Sequence, residues 1–194
     1  MNAAQRRQPQ IEPASPALLG DPLDFFFAEH FRQRKLCNLI EELALAEVFD
    51  TRLAVEVVAF LRHDMALHVQ DEEEDLFPLV RQRCAPQDEI ERVISALAAE
   101  HAGDRHLADI VIEGLQAALR EGTAVAAQAG LREAMIDFAR NERRHLALEN
   151  SVVLPLARLR LTAADLAELS ARMVARRDAA APESGGEDAP DLPT

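Results

Sequence analysis

Apolar residues recur at helical spacing along most of the chain, and short turn signals cut the pattern into four long stretches. The first opens at Asp21-Pro22, with Asp21 placed to cap and Pro22 in the first turn, and carries the row Phe26, His30, Cys37, Ile40, Ala44. The second runs from Thr51 to about Cys84, with Leu53, Val57, Leu61, Met65, His68, Glu72 and Leu79 on one side. Ala85-Pro86-Gln87-Asp88 breaks it and caps a third, whose row Ile94, Leu97, His101, Ala108, Ile112, Leu115, Leu119 ends at Gly122. Thr123 starts the fourth, with Leu131, Met135, Phe138, Glu142, His145, Glu149, Val152, Leu156 and Leu159 in one row. A short fifth helix is predicted from Thr162, where Thr162-x-x-Asp165 has the form of a capping box. Four long helices with short connections predict an all-α, up-down-up-down four-helix bundle, which with the fifth helix fills residues 21–177. Residues 1–20, rich in Pro, Gln and Ala, and the acidic stretch 178–194 lack the apolar content that offsets ordering; they are predicted to be a flexible segment and a disordered tail.

The rows are interrupted by polar residues in a regular way. His30, His68, His101 and His145 each sit in the inward row of a different helix, so aligned helices bring them together at mid-bundle. Helices two and four also repeat one pattern, HVQDEEEDLFPL from His68 and HLALENSVVLPL from His145. Both read His-x3-Glu, then an apolar residue followed by Pro-Leu, and the i,i+4 spacing puts imidazole and carboxylate on one face. A mid-helix proline ordinarily costs about 3 kcal/mol. Finding Pro78 and Pro155 at matched positions marks them as architecture.

Buried carboxylates and clustered imidazoles without partners are both penalised, and a bound cation relieves both at once. Imidazole with carboxylate suits Fe, Mn or Zn, while the nitrogen-rich set argues against Ca or Mg. Four His and two Glu on four helices divide into two metals, each with two His and a share of two bridging Glu, leaving room for an oxo or hydroxo bridge and an open position for a small molecule.

Composition narrows the partners. The 194 residues carry 34 acidic against 21 basic side chains, a net charge of −13, which disfavours nucleic acid or an anionic membrane surface as partner. Two cysteines, Cys37 and Cys84, are too few for a disulfide framework. With charges interrupting every apolar run and no signal-peptide pattern at the N-terminus, the expected location is the cytoplasm.

The ordered motifs resemble the hemerythrin-like, HHE cation-binding family: His30 in helix one, His68-x3-Glu72-Glu73 followed by Phe77-Pro78 in helix two, Glu100-His101 in helix three, and His145-x3-Glu149 with Pro155 in helix four. The resemblance covers roughly residues 22–160. It implies a non-haem di-iron centre, two oxo- or hydroxo-bridged Fe ions ahead of zinc or manganese, with His30, His68, Glu72, His101, His145 and Glu149 as ligands. The family's oxygen carriers have a second His one turn after the helix-three ligand, where this chain has Arg105; its iron–sulfur repair members carry a further His in helix one, which is absent here.

The function expected is binding or sensing of oxygen or a related small molecule such as peroxide or nitric oxide, through a separate protein partner where a signal is passed on. The alternative is a di-iron oxidoreductase of ferroxidase, peroxidase or nitric oxide reductase type, and a third reading is a bundle that holds zinc or manganese, or no metal, and acts through its acidic surface or its tails. Glu142 and Asp104, three residues from His145 and His101, are expected to orient an imidazole or to add a seventh ligand. His63 and His106 should point elsewhere. Arg105 is expected at the bundle seam, with a place beside the open coordination position as the other reading. Of the run Asp71 to Asp75, Glu72 alone is expected to turn inward, and Phe26, Phe27, Phe77 and Phe138 to line the pocket or pack as core.

Overall fold

A computed structural model of the chain describes residues 10–180. Helix α1 (Pro22–Leu45) is followed by a second rod built from α2 (Thr51–Arg62), α3 (Asp64–Asp71), a π-helical turn (Glu72–Leu76) and α4 (Phe77–Arg83). Next come α5 (Ile90–Glu121) and a fourth rod, made of α6 (Ala129–Leu148), a second π-helical turn (Glu149–Val153) and α7 (Leu154–Arg160). The last helix is α8 (Ala163–Ala180). No strand occurs among the described residues.

The sequence signals act as local chemistry. Asp21 accepts a hydrogen bond from the Asp24 amide at 3.2 Å and so caps α1. At the start of α8, Thr162 N donates to Asp165 Oδ2 at 2.8 Å and Asp165 N donates to Thr162 Oγ1 at 3.2 Å, the reciprocal pattern of a capping box. Helix α5 ends on Gly122, whose φ of 68° is the left-handed cap that glycine adopts without strain. A side chain at Gly114 would collide with Leu131, so the glycine lets α5 and α6 approach closely.

Two apolar cores flank a polar layer. One contains Leu36, Cys37, Leu61, Met65, Ala108, Ile112, Met135 and Phe138; the other contains Phe26, Leu76, Phe77, Ile94, Leu97, Val153 and Leu154. Along α1 and α5 the chain passes from the second core to the first, and along the other two rods it returns. That alternation is the up-down-up-down order, and α1 packs on α2 and α6 while α5 packs on the same two, closing the ring. Burying each large apolar side chain contributes about 1.5–3 kcal/mol, so the two cores can support a polar layer that costs stability.

Four details differ from the sequence pattern. The long second helix is interrupted at His63 and again by the π turn. Each π turn inserts one extra residue, so the buried row moves on by one position beyond it: Val80 rather than Leu79, Val153 and Ala157 rather than Val152 and Leu156, while Leu159 is exposed. Asp71 and Asp75 are buried as well as Glu72, because α8 lays Arg172, Arg176 and Arg177 against them. Phe27 is exposed rather than lining a pocket.

The chain ends expected as 1–20 and 178–194 are described in part. Ile11 is buried and its amide donates to Glu56, Pro16–Gly20 forms a 3-10 turn beside α1 and α8, and α8 itself runs to Ala180, longer than the short helix expected. Residues 1–9 and 181–194 lie outside the described residues.

Candidate metal centre

Both π turns begin on a glutamate of the polar layer. The amide of Glu72 donates to His68 O and Val69 O, and that of Glu149 donates to His145 O and Leu146 O. Each turn closes five residues later, where Phe77 N bonds Glu72 O and Leu154 N bonds Glu149 O. The ladder therefore changes register just ahead of Pro78 and Pro155, so each proline's missing N–H falls where the regular helical bond is already interrupted.

The structure brings His30, His68, Glu72, His101, His145 and Glu149 together, each no more than 5% exposed. Their donor atoms form two overlapping groups, His30, His68, Glu72, Glu149 and Glu72, His101, His145, Glu149, within which all atoms lie inside 4.8 Å of one another. Glu72 and Glu149 belong to both. Glu72 Oε1 stands 3.2 Å from His68 Nε2 and 3.6 Å from His30 Nε2, while its Oε2 stands 3.4 Å from His101 Nε2. Glu149 mirrors it, with Oε1 3.1 Å from His145 Nε2 and Oε2 3.4 Å from His30 Nε2.

Three imidazoles are oriented from behind in one repeated way. His101 Nδ1 faces Glu73 Oε1 at 2.9 Å, His145 Nδ1 faces Glu100 Oε2 at 3.2 Å, and His30 Nδ1 faces Asn150 Oδ1 at 3.2 Å. Each acceptor is the sequence neighbour of one candidate ligand and reaches the imidazole of another helix. An acceptor there keeps the proton on Nδ1 and turns the Nε2 lone pair toward the cluster. Phe26 meets His68 edge-on with centroids 5.6 Å apart, and Phe77 stacks on His101 at 5.8 Å, so the rings are also held by packing.

The charge balance inside the layer is set by the two carboxylates. Burial lowers the His68 imidazole, but Glu72 overrides it and the group is pushed up to about 9. Burial likewise opposes the charge on His145, yet the neighbouring Glu149 carboxylate takes it up to about 10. Glu72 sits well below the ordinary carboxylate range, burial notwithstanding, because His68, His101 and His30 surround it. The carboxylates thus demand positive charge, which imidazolium or a metal cation can supply.

The donor set fits a metal pair. His30 Nε2, both oxygens of Glu72 and both oxygens of Glu149 are buried without a hydrogen-bond partner. His101 Nε2 and His145 Nε2 face each other at 3.0 Å. Two nitrogens each about 2.1 Å from one cation, at a right angle, lie about 3.0 Å apart.

The residues expected near the centre divide. Glu142 is buried, belongs to neither group, and is pushed up to about 7 chiefly by burial. Asp104 is half-buried and takes a long 3.4 Å bond from Asn141 Nδ2, so neither it nor Glu142 orients an imidazole. His63 and His106 are exposed. Arg105 is 65% exposed and 3.9 Å from Glu73, at the seam. The orienting roles of Glu73, Glu100 and Asn150 and the burial of Gln33 were not visible in the sequence, since each contact crosses between helices; adjacency to a motif residue is the only signal the three acceptors carry.

A family profile described as the hemerythrin HHE cation binding domain matches residues 21–157. No curated protein matches the chain. No helix among the described residues is long and apolar enough to cross a membrane.

Proposed function

Because the chain belongs to the hemerythrin HHE cation-binding family, we propose that the polar layer holds two iron ions and that the protein binds or senses oxygen or a related small molecule with them. The observation that carries this reading is the pair of overlapping donor groups sharing Glu72 and Glu149. In it, His30 and His68 would hold one cation and His101 and His145 the other, with Glu72 and Glu149 available to both. A ferrous pair supplies electrons and an open coordination position, the chemistry that oxygen and nitric oxide require.

The rest belongs to the chain's own residues. Glu73, Glu100 and Asn150 hold three imidazoles in the donor tautomer, Phe26 and Phe77 brace two of the rings, and the two apolar cores close the layer above and below. A cavity of about 640 Å³ reaches His68, His101 and His145 from the α3 and α5 side, which gives a small molecule access.

The test is a metal count with an anaerobic optical spectrum. The chain contains no Trp or Tyr, so its near-ultraviolet protein background is low. About two iron per chain, with charge-transfer absorption that changes on admitting oxygen, supports the reading; stoichiometric zinc without colour overturns it.

A further inference from the structure

Gln33 and Glu142 lie outside both donor groups and are left unsatisfied. Gln33 is 1% exposed and neither its Nε2 nor its Oε1 has a partner; Glu142 is 4% exposed and its Oε1 has none. A buried polar group without a partner costs about 1–3 kcal/mol, and a charged one more. Two such side chains in the lining of one cavity call for something to bind there. Both residues line the cavity that reaches His68, His101 and His145. Each is also one helical turn from a candidate ligand, Gln33 after His30 on α1 and Glu142 before His145 on α6.

The outer lining of that cavity is acidic, and its inner end is imidazole. Glu73, Glu74, Asp104, Asp109 and Glu113 stand against two guanidiniums, Arg62 and Arg105, while His68, His101 and His145 lie at the inner end. Both guanidiniums have carboxylate or amide neighbours: Arg62 donates to Gln116 Oε1 at 3.1 Å and Arg105 lies 3.9 Å from Glu73. The carboxylates grade inward, with Asp109 and Glu113 exposed, Asp104 half-buried and Glu142 buried. A funnel of this sign repels anions and concentrates cations.

We propose that the cavity is the loading route of the metal pair, and that Glu142 and Gln33 form a transit site that takes a divalent cation from the acidic mouth and passes it to His101 and His145. The inference rests on the two-cation reading above. Glu142 offers one carboxylate oxygen in exchange for a water of the incoming ion, and the Gln33 amide oxygen offers a neutral second donor. Two such donors bind well enough to capture the ion and weakly enough to release it to a group of four, Glu72, His101, His145 and Glu149.

The experiment follows uptake of Co²⁺ by the metal-free full-length protein in stopped flow, reading visible absorbance, with the final stoichiometry measured separately. Glu142→Gln and Gln33→Leu should each slow loading about tenfold while leaving two cobalt bound at the end point. The double variant Asp109→Asn with Glu113→Gln, confined to exposed side chains, should slow it about threefold and flatten its dependence on ionic strength. Unchanged rates in all three variants overturn the route. An end point below two equivalents in Glu142→Gln also overturns it, since Glu142 would then be a ligand of the pair. An unsubstituted chain that takes up less than two cobalt refutes the two-cation reading itself, and the route with it.

Discussion

His101 and His145 face each other Nε2 to Nε2 at 3.0 Å, and the far nitrogen of each ring is taken by a glutamate, Glu73 for the one and Glu100 for the other. Two nitrogens that close cannot both carry a proton without repulsion. With a proton held on the far nitrogen of each ring by its acceptor, a cation between the rings can take both facing lone pairs.

Removing those acceptors should therefore weaken metal binding without unfolding the bundle. Glu73 and Glu100 are half-buried, so truncation leaves no sealed void. Glu73→Ala and Glu100→Ala are each expected to lower metal affinity about 10–100-fold, the usual effect of losing a group that orients a ligand. Competition against a chelator of known affinity measures it, and an unchanged affinity in both variants would show the rings to be held by packing alone.

The sharing of Glu149 separates it from the histidines. It stands in both donor groups, whereas His30 stands in one. Glu149→Gln is expected to lose both metals and His30→Ala only one, with the loaded proteins losing thermal stability in the same order because binding and folding are coupled. A Glu149→Gln protein that retains one full equivalent in elemental analysis contradicts the bridging role.

Most of this buried cluster was legible in the sequence. The four inward histidines and the repeated His-x3-Glu spacing follow from helix periodicity alone, and the structure converges all six side chains. What the pattern missed depends on contacts between helices or on changes of period. Glu73, Glu100 and Asn150 act on rings from other helices, and Asp71 is buried only because α8 docks over it with Arg176 and Arg177. The displacement of the buried row to Val80, Val153 and Ala157 reflects one extra residue per π turn, which a fixed period of 3.6 does not anticipate.

The same register change makes a prediction about the prolines. In a regular helix interior, Pro→Ala relieves about 3 kcal/mol. Pro155 follows directly on Leu154, whose amide closes the π turn onto Glu149 O, so no regular helical bond awaits a donor at this position. Pro155→Ala is expected to stabilise by under about 1 kcal/mol, within a few degrees in a thermal melt. A gain near the full helix value would mean that the proline strains the turn.

Helix α8 grips the back of the first π turn. Arg176 contacts both Asp71 and Asp75, with Nη2 2.7 Å from Asp75 Oδ2, and the two carboxylates are essentially inaccessible. Breaking a buried pair typically costs about 3–5 kcal/mol. Because Arg177 still reaches Asp71 and Arg172 still reaches Asp75, Arg176→Ala should cost less, about 2–3 kcal/mol by chemical denaturation. If α8 also steadies Glu72, the variant's metal affinity falls as well; a loss of stability with full affinity limits the clamp to holding the helix.

Asp165 gives the pH dependence its sign. Its carboxylate accepts two bonds from Arg83, at 2.8 and 2.7 Å, and further bonds from the Thr162 amide and hydroxyl. Arg83 first, then Thr162, hold it well below the ordinary aspartate value. A carboxyl whose folded pKa is depressed adds stability above its unfolded pKa of about 3.9, and that contribution drains away as pH falls through the folded value. Asp165→Asn should therefore melt below the parent by a constant margin between about pH 5 and 8, and the margin should narrow once the pH drops beneath about 3.9. Parallel melts of the metal-free proteins across that range decide it. A margin that stays constant into acid would assign the effect to the neutral capping bonds and not to the ion pair with Arg83.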